Sequence, residues 1–155
     1  MAKPADGGDG GNGAADEALP GELHGGSKLY DVLTVAGLRV DAIEPGRLLC
    51  SFTVPPRLTN ASSKRMHGGA MASLVDLVGS AVFFAGGSPT TGVSVDITVS
   101  YVHAAREKEE IEIEARVLGI VGTTGCVTVE VRRKSTGEVL AHGRHTKYLA
   151  VSSKL

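Results

Sequence analysis

The feature that most constrains this fold is an uninterrupted apolar segment in the middle of the chain, from Gly68 to Gly86. Ala, Val, Leu, Met and Phe dominate the segment, and Asp76 is its single charged side chain. Because such a segment is hydrophobic on nearly all sides, it predicts one long helix that is buried in a core. The chain is therefore expected to fold around a central helix that carries one carboxylate.

The segments on either side of the predicted helix carry the signals of other helices and strands. A short amphipathic helix over residues 29–36 comes first and is closed by Gly37. Alternating apolar and polar residues predict strands at LRVDAIE and RLLCSFTV before the central helix, and at VSVDITVSY, EIEIEARV, CVTVEVRR and EVLAHGRHTKYL after it. In VSVDITVSY the alternation of apolar and polar residues is uninterrupted.

This order of elements, α-β-β-α-β-β-β-β, predicts the fold class. Short turns join the strands, which favours a mostly antiparallel sheet of six strands. Wrapping that sheet around the apolar helix buries the helix, so the expected fold is α+β. A membrane span is not expected, because the apolar segment is barely long enough, Asp76 lies in its middle, and Lys and Arg flank only one of its ends.

Length and composition indicate one domain preceded by a segment of a different kind. Among the 155 residues, 1–26 are rich in Gly, Asp, Ala and Pro and are predicted to be a disordered tail, and 27–151 carry the domain. The tail has no apolar region and no Arg, so it is not expected to be a leader peptide. The net charge of −1 provides no basic field for nucleic acid. The five histidines show no HxxxH or HExxH spacing, so no metal site is predicted.

Small and polar residues form one stripe along the predicted central helix. Gly69, Ser73, Asp76 and Ser80 are spaced four, three and four residues apart, which places them on one face. A buried carboxylate is unfavourable unless it is paired, and burial raises the pKa of a carboxyl group toward the range of a general base. Asp76 is therefore a candidate catalytic base. A structural Asp that accepts hydrogen bonds from strand amides is the alternative.

The start of the same helix offers a second candidate feature, the HGG sequence of residues 67–69. The first amides of a helix have no partner within it and lie at the positive end of its dipole. Because Gly68 and Gly69 have no side chains, a carbonyl oxygen could approach these amides as in an oxyanion hole. A helix start that His67 merely caps is the alternative. HGG followed by Asp76 eight to nine residues later is a stronger signal than HGG alone.

Four segments, LTNAS, MHGGAMASLVD, GVSVDITVSYVHAA and GRHTKYL, resemble the hotdog-fold acyl-CoA thioesterases, in particular their phenylacetyl-CoA-thioesterase-like branch. The resemblance extends from about Leu48 to Leu149. It implies the hotdog fold, in which a six-stranded sheet wraps around one long helix. It also implies homodimers with a continuous sheet, which often pair again into tetramers. The implied hydrolysis of an acyl-CoA needs no metal and no cofactor besides the coenzyme A of the substrate.

The resemblance implies roles for five residues around the central helix. Gly68 would polarise the thioester carbonyl through its N–H, helped by the side chain of Asn60. Asp76 would be the general base or nucleophile, contributed by the facing subunit. Ser94 would orient the attacking water, and His67 would support the loop that begins at Asn60 without taking a proton. That loop is one residue longer than in the family pattern.

The resemblance also implies a path for coenzyme A. The residues expected to line it are Tyr101, Arg106, Gly119, Thr123, Thr124 and Tyr148. Arg106 is the expected partner of a phosphate, and an ordinary solvated Arg is the alternative. Two other functions remain open at this point. One is a hotdog hydratase or dehydratase that acts on the acyl chain, and the other is a binder of acyl-CoA without catalysis.

The chain finishes with Ser153-Lys154-Leu155, and a C-terminal S-K-L is an address that the peroxisomal import receptor reads. Residues 152–155 are therefore expected to form an exposed targeting tail. Peroxisomes handle acyl-CoA, so the address agrees with the chemistry that the resemblance implies. The expected location is the peroxisome, with the cytosol as a second compartment.

Overall fold

The computed structural model describes residues 26–149, which form two helices and six strands in the predicted order. The helices are α1 (Gly26–Val35) and α2 (Gly68–Ala85). The strands are β1 (Arg39–Glu44), β2 (Arg47–Thr53), β3 (Val93–Tyr101), β4 (Glu110–Val121), β5 (Thr124–Arg133) and β6 (Val139–Tyr148). The predicted tail up to residue 25 and the end of the chain from residue 150, with its S-K-L sequence, lie outside the described residues.

The six strands form one sheet in the order β1-β2-β4-β5-β6-β3, and every neighbouring pair is antiparallel. The chain leaves β2, passes through α2 and returns as β3 at the opposite part of the sheet, where β3 is an edge strand. Along the way α2 packs against β2, β3, β4, β5 and β6. The predicted α+β hotdog architecture, with one long helix against a six-stranded antiparallel sheet, is confirmed.

The core-facing side of α2 packs tightly against the sheet. Leu74, Val75 and Val82 are fully buried there. Strand β6 can approach the helix closely because Gly143 lies at the crossing, where a Cβ would be 2.5 Å from Cγ1 of Val75. By length and composition α2 could cross a membrane, but in the described part of the chain it is the core helix, with half of its residues buried.

Strand β3 departs from the uninterrupted alternation that its sequence predicts. A β-bulge directly after Ser94 shifts its register against β6. Ser94 pairs with Lys147 before the bulge, and Ile97 pairs with His145 after it. Because one extra residue reverses which side chains face the core, the residues before the bulge face the opposite way from what alternation with the rest of the strand would give. Ser94 lies on the core side there, and Val93 is exposed.

The position of β3 at the sheet edge leaves its apolar side chains uncovered. Val93, Val95 and Tyr101 are all more than half exposed. The backbone of an edge strand also keeps a row of hydrogen-bonding groups that another strand can use. Strand β3 therefore presents an apolar, unpaired edge within the described residues.

Candidate active site

The N-terminus of α2 is capped, and one of its backbone N–H groups has no hydrogen-bond partner among the described residues. His67 is the N-cap residue, and its ring Nδ1 accepts a hydrogen bond from the N–H of Gly69 at 3.0 Å. The N–H groups of Ala70 and Met71 both donate to the backbone oxygen of His67. The N–H of Gly68 has no partner within the described part of the chain. Since it lies at the positive end of the helix dipole, it is ready to receive an oxygen acceptor.

Tyr101 closes one side of this helix start. Its hydroxyl donates to the backbone oxygen of Gly68 at 2.9 Å. A pocket of about 300 Å³ lies beside them, between Met71 of the helix and the segment of residues 101–105. Gly68, whose N–H has no partner among the described residues, is therefore one of the residues that line a cavity.

Asp76 lies on the predicted polar stripe of α2, but its side chain is 46% exposed, so the prediction of a buried carboxylate is wrong for the single chain. The stripe lies beside the edge strand β3, where no further strand of residues 26–149 covers the helix. A pocket of about 420 Å³ follows the stripe from Gly69 past Ser73 to Asp76, with Tyr30 and Tyr101 among its walls. Asp76 is therefore open to a small molecule.

The separation of Gly68 and Asp76 limits what one helix can do. Eight residues of α-helix, at 1.5 Å per residue, separate their backbones by about 12 Å. A group that donates to a reacting carbonyl and a base that takes a proton from the attacking water must both lie within about 3 Å of their targets. The Gly68 amide and the Asp76 carboxylate of one helix are therefore too far apart to contact the same atom.

Next to Asp76 lies a cluster of polar side chains, of which the sequence predicts only Asp76 and Ser94 as site residues. Ser80 donates to Oδ1 of Asp76 at 3.3 Å, and Nζ of Lys147 donates to Ser80 at 2.8 Å. The hydroxyl of Ser94 lies 2.8 Å from Nε2 of His145 and 3.4 Å from Nζ of Lys147. Nε2 of His145 also lies 3.6 Å from Oδ1 of Asp76. The fold thus brings Asp76 and Ser94 into one polar cluster.

His145 enters this cluster as a neutral ring. It is fully buried, and its Nδ1 has no partner within residues 26–149. Since a buried acceptor without a partner is tolerated better than a buried N–H, we assign the ring proton to Nε2, which donates to Ser94. Burial lowers the pKa of His145 below its ordinary 6.5 and the Lys147 ammonium lowers it further, while Asp76 and Asp96 oppose these effects. His145 is therefore uncharged near pH 7.

His145 and Lys147 also have a sequence signal. Strand β6 alternates, so Ala141, Gly143, His145 and Lys147 share the side that faces α2, and all four are buried. A His and a Lys at positions where this alternation requires small or apolar residues indicate a paired or functional site. This break in the pattern of GRHTKYL is a signal that the predicted site leaves unused.

Asn60 is held within the loop before α2. Its backbone oxygen accepts from the N–H of Lys64 at 3.0 Å, and its N–H donates to the oxygen of Arg65 at 2.9 Å. Its side-chain Nδ2 is 3.5 Å from the same Arg65 oxygen. Among the hydrogen bonds of the described residues, none joins Asn60 to His67 or Gly68. The cooperation of Asn60 with Gly68 at a carbonyl therefore stays a prediction.

The residues predicted for the coenzyme A path lie at two ends of the sheet. Tyr101 and Arg106 lie at the end where α2 begins, and the other end holds Gly119, Thr123, Thr124 and Tyr148. Strand β5, from Thr124 to Arg133, connects the two ends and spans about 30 Å. One chain therefore does not bring the two groups together.

A basic pocket of about 320 Å³ lies at the end where α2 begins. Arg65, Arg106 and Arg133 line it together. Arg133 is paired with Glu109 and Glu138. By contrast, neither Arg65 nor Arg106 has a carboxylate at ion-pairing distance among the described residues. Although the Glu109 carboxylate lies near Arg106 and Glu138 lines the pocket, two guanidinium groups without an ion pair among the described residues make this pocket a candidate site for an anion.

Comparison with known proteins relates this geometry to a family. A family model described as Thioesterase superfamily matches residues 63–140. Acyl-coenzyme A thioesterase 13 of Homo sapiens is 37% identical over 105 residues, which are 68% of this chain and 74% of that protein. The chain belongs to the thioesterase superfamily. The resemblance that the four segments LTNAS, MHGGAMASLVD, GVSVDITVSYVHAA and GRHTKYL indicate is thereby confirmed, and so is the enzyme class, a thioester hydrolase.

Solved structures of thioesterases share the fold of this superfamily member. Thioesterase superfamily member 2 of zebra fish is 30% identical with a TM-score of 0.72, over 80% of this chain and 97% of that one. A hypothetical thioesterase of Streptococcus pneumoniae, solved with coenzyme A, is 17% identical with a TM-score of 0.68, over 76% of this chain and 91% of that one. At this low identity the second likeness shows the fold alone.

The groups present in this thioesterase-superfamily chain define what its site can do. Within the described residues, no three His, Cys, Asp or Glu side chains are grouped so that they could hold a metal ion. The groups available are the carboxylate of Asp76, the hydroxyl of Ser94 and the free amide of Gly68. A carboxylate can accept a proton from water, and an amide at a helix start can stabilise an oxyanion. The roles of these particular residues remain predictions.

Proposed function

We propose that this chain is an acyl-CoA thioesterase, which hydrolyses an acyl-CoA to the free acid and coenzyme A. The observation that carries the proposal is the unpartnered N–H of Gly68 at a capped helix start, with Asp76 on the same helix beside an open pocket. Membership of the thioesterase superfamily gives the class of reaction, which is hydrolysis of a thioester. The name of the human relative and the coenzyme A of the Streptococcus structure support the substrate class.

The proposed active site is shared between two copies of the chain. Gly68 of one copy and Asp76 of the other act on one carbonyl, because on one helix they are about 12 Å apart. The apolar edge of β3 supports a pairing of two sheets into one continuous sheet. A two-fold axis at that edge places the end of one sheet beside the opposite end of the partner's sheet. The two groups of residues predicted for the coenzyme A path would then lie together. Such homodimers would pair again into tetramers.

The proposed hydrolysis needs three contributions from the protein. The N–H of Gly68 donates to the thioester oxygen, which becomes negative when water attacks the carbonyl carbon. Asp76 accepts a proton from that water as a general base, and the hydroxyl of Ser94 orients the water. When the intermediate collapses, the C–S bond breaks and its electron pair leaves with sulfur. The thiolate of coenzyme A then takes up the proton that Asp76 holds.

A thiol-release assay on the purified protein tests this function. A thioesterase releases coenzyme A with a free thiol from an acyl-CoA. A hotdog hydratase or dehydratase would change the acyl chain without releasing thiol, and a binder without catalysis would do neither. A panel of long-chain, short-chain and aroyl-CoA substrates would also define the acyl preference. Absence of thiol release across the whole panel would contradict the proposal.

Arg106 is expected to bind a phosphate of coenzyme A in the basic pocket. Changing Arg106 to Ala should raise KM for acyl-CoA about tenfold and leave kcat little changed, because the lost charge-assisted hydrogen bond is remote from the reacting atoms. The matched control is an acyl-pantetheine thioester, which lacks the nucleotide phosphates. The variant should act on this substrate as well as the unchanged protein does. An equal loss with both substrates would show that Arg106 does not contact a phosphate.

We also propose a peroxisomal location for a protein that ends at Leu155, through recognition of Ser153-Lys154-Leu155 by the import receptor. A fluorescent protein fused to the N-terminus, which leaves Leu155 free, should enter peroxisomes. Deletion of the last three residues should leave the fusion in the cytosol. An unchanged distribution after the deletion would refute the address, and the enzymatic proposal would stand.

A further inference from the structure

Lys147 is a buried cation to which the proposed mechanism assigns no role. Its side chain projects from the core-facing side of β6, and the residue is only 4% exposed. Its Nζ donates to the hydroxyl of Ser80 at 2.8 Å and lies 3.4 Å from the hydroxyl of Ser94. Within the described chain it has no carboxylate at ion-pairing distance. Its ammonium group is therefore held between two hydroxyl groups that flank Asp76.

Burial of the Lys147 ammonium group is by itself unfavourable for the stability of the fold. Taking an ammonium group out of water carries a large penalty, and Lys is almost never fully buried unless it is paired. Burial accordingly lowers the pKa of Lys147, and the negative charge of Asp76 only partly offsets this effect. An unbranched apolar side chain such as that of Met would fill the same space without a charge to desolvate. A role in the site would explain why a Lys stands here.

The hydrogen bonds around Lys147 run in one direction toward Asp76. Lys147 donates to Ser80, and Ser80 donates in turn to Oδ1 of Asp76 at 3.3 Å. On the other side, the hydroxyl of Ser94 accepts from His145 and faces the Lys147 ammonium. Because that oxygen is occupied as an acceptor, the O–H of Ser94 is left to point elsewhere. Lys147 thus touches both hydroxyl groups beside the carboxylate.

From this geometry we propose that Lys147 is a positioning residue for Asp76: through its hydrogen bond to Ser80, which in turn donates to the carboxylate, it holds the carboxylate in the orientation that accepts a proton. The inference rests on the proposed function, in which Asp76 is the base. Lys147 does not touch the substrate. It acts on the reaction through the groups that do.

The other charged and titratable groups around Lys147 in the described part of the chain do not provide a second positive charge. His145 lies between Asp76 and Ser94 but is neutral near pH 7, and Asp96 is a further carboxylate that raises the pKa of His145. Asp76 itself faces the cluster from α2. Among residues 26–149, Lys147 is therefore the cation of this cluster.

The test is thiol release by a Lys147→Met variant of the full chain, measured over a range of acyl-CoA concentrations. We expect kcat to fall about 10- to 100-fold, since the base is less well positioned, with KM for acyl-CoA nearly unchanged. Lys134→Met, which removes an exposed ammonium paired with Glu110, is the matched control and should leave both kcat and KM unchanged.

A second variant covers the case in which Lys147→Met does not fold. Ser80→Ala keeps Lys147 but breaks its link to Asp76, so kcat should fall several-fold with KM for acyl-CoA nearly unchanged. A merely structural Lys147 predicts a lower melting midpoint, with an unchanged kcat for the folded fraction. That result in Lys147→Met, or a Ser80→Ala variant with unchanged kcat, would overturn the inference.

A double variant separates this inference from the proposed function. In an Asp76→Asn background, adding Lys147→Met should lower the residual rate less than twofold, because the group that Lys147 positions is already gone. If Asp76→Asn alone retains turnover, the proposed role of Asp76 as the base fails, and the role of Lys147 fails with it. If Asp76→Asn is inactive and Lys147→Met keeps the kcat of the unchanged protein, only the role of Lys147 fails.

Discussion

Replacing Asp76 with Asn is expected to lower turnover by about 10²–10⁴-fold, the usual scale for removal of a positioned base. Asn has nearly the same shape as Asp and keeps a carbonyl oxygen that can accept from Ser80, but it cannot take a proton from water. KM for acyl-CoA should change little, because the acyl and coenzyme contacts lie elsewhere. The measurement is thiol release under saturating substrate. Asp31→Asn, on the exposed face of α1, is a matched control that should keep full turnover.

The melting midpoint of the same Asp76→Asn preparation separates a catalytic from a structural carboxylate. Asp76 is 46% exposed in the single chain and makes no direct ion pair with Lys147 among the described residues, so we expect the midpoint near neutral pH to hold. An Asp present for the fold predicts a clear loss of stability with a proportionate loss of activity. Retained turnover, or a collapsed midpoint, would show that Asp76 serves the fold.

Mixing two inactive variants, Gly68→Pro and Asp76→Asn, is expected to restore activity. In an exchanged mixture half of the dimers are mixed, and each mixed dimer has one site with both residues intact. About one quarter of all sites should therefore recover. If Gly68 and Asp76 of one chain served the same site, every mixed dimer would stay inactive. Thiol release before and after subunit exchange measures the difference.

Gly68→Pro suits this experiment because it removes an N–H without disturbing the helix. Gly68 is the first helical residue, a position where proline is favoured, and His67 before it has the extended conformation that a following proline requires (φ −68°, ψ 135°). Gly68→Ala is the matched control, since it keeps the N–H and its Cβ would make an ordinary 3.6 Å contact with the Tyr101 ring. A mixture that stays inactive, although both variants are folded and dimeric, would refute the shared site.

The central helix and the order of the strands could be predicted because both are local properties of the chain. Few structures other than a buried helix can remove an uninterrupted apolar segment of this length from water. Helix α2 spans Gly68–Ala85 as expected. The strands follow from alternation and turn residues, which act over a few neighbours. The cap at His67 is also local, and it leaves the Gly68 amide free as the HGG sequence suggests.

The direction of Ser94 could not be predicted, because it depends on a bulge. The sequence of β3 alternates without a break, yet its pairing with β6 shifts by one residue directly after Ser94. That shift is decided by how two distant segments align, and it turns the Ser94 hydroxyl toward His145. The exposure of Asp76 has a similar origin, because it follows from the place of β3 at the sheet edge.

By itself, the sequence determined the apolar helix, the strand order and the spacing of Gly68 and Asp76, because each depends on residues that are close along the chain. Only the tertiary structure decided that Lys147 and His145 of the last strand lie against Ser80, Ser94 and Asp76. These contacts join three elements, and they form because β6 lies between β5 and β3 under the helix. Alternation shows that Lys147 faces the core. Which side chains its ammonium group contacts depends on elements that are far apart in sequence.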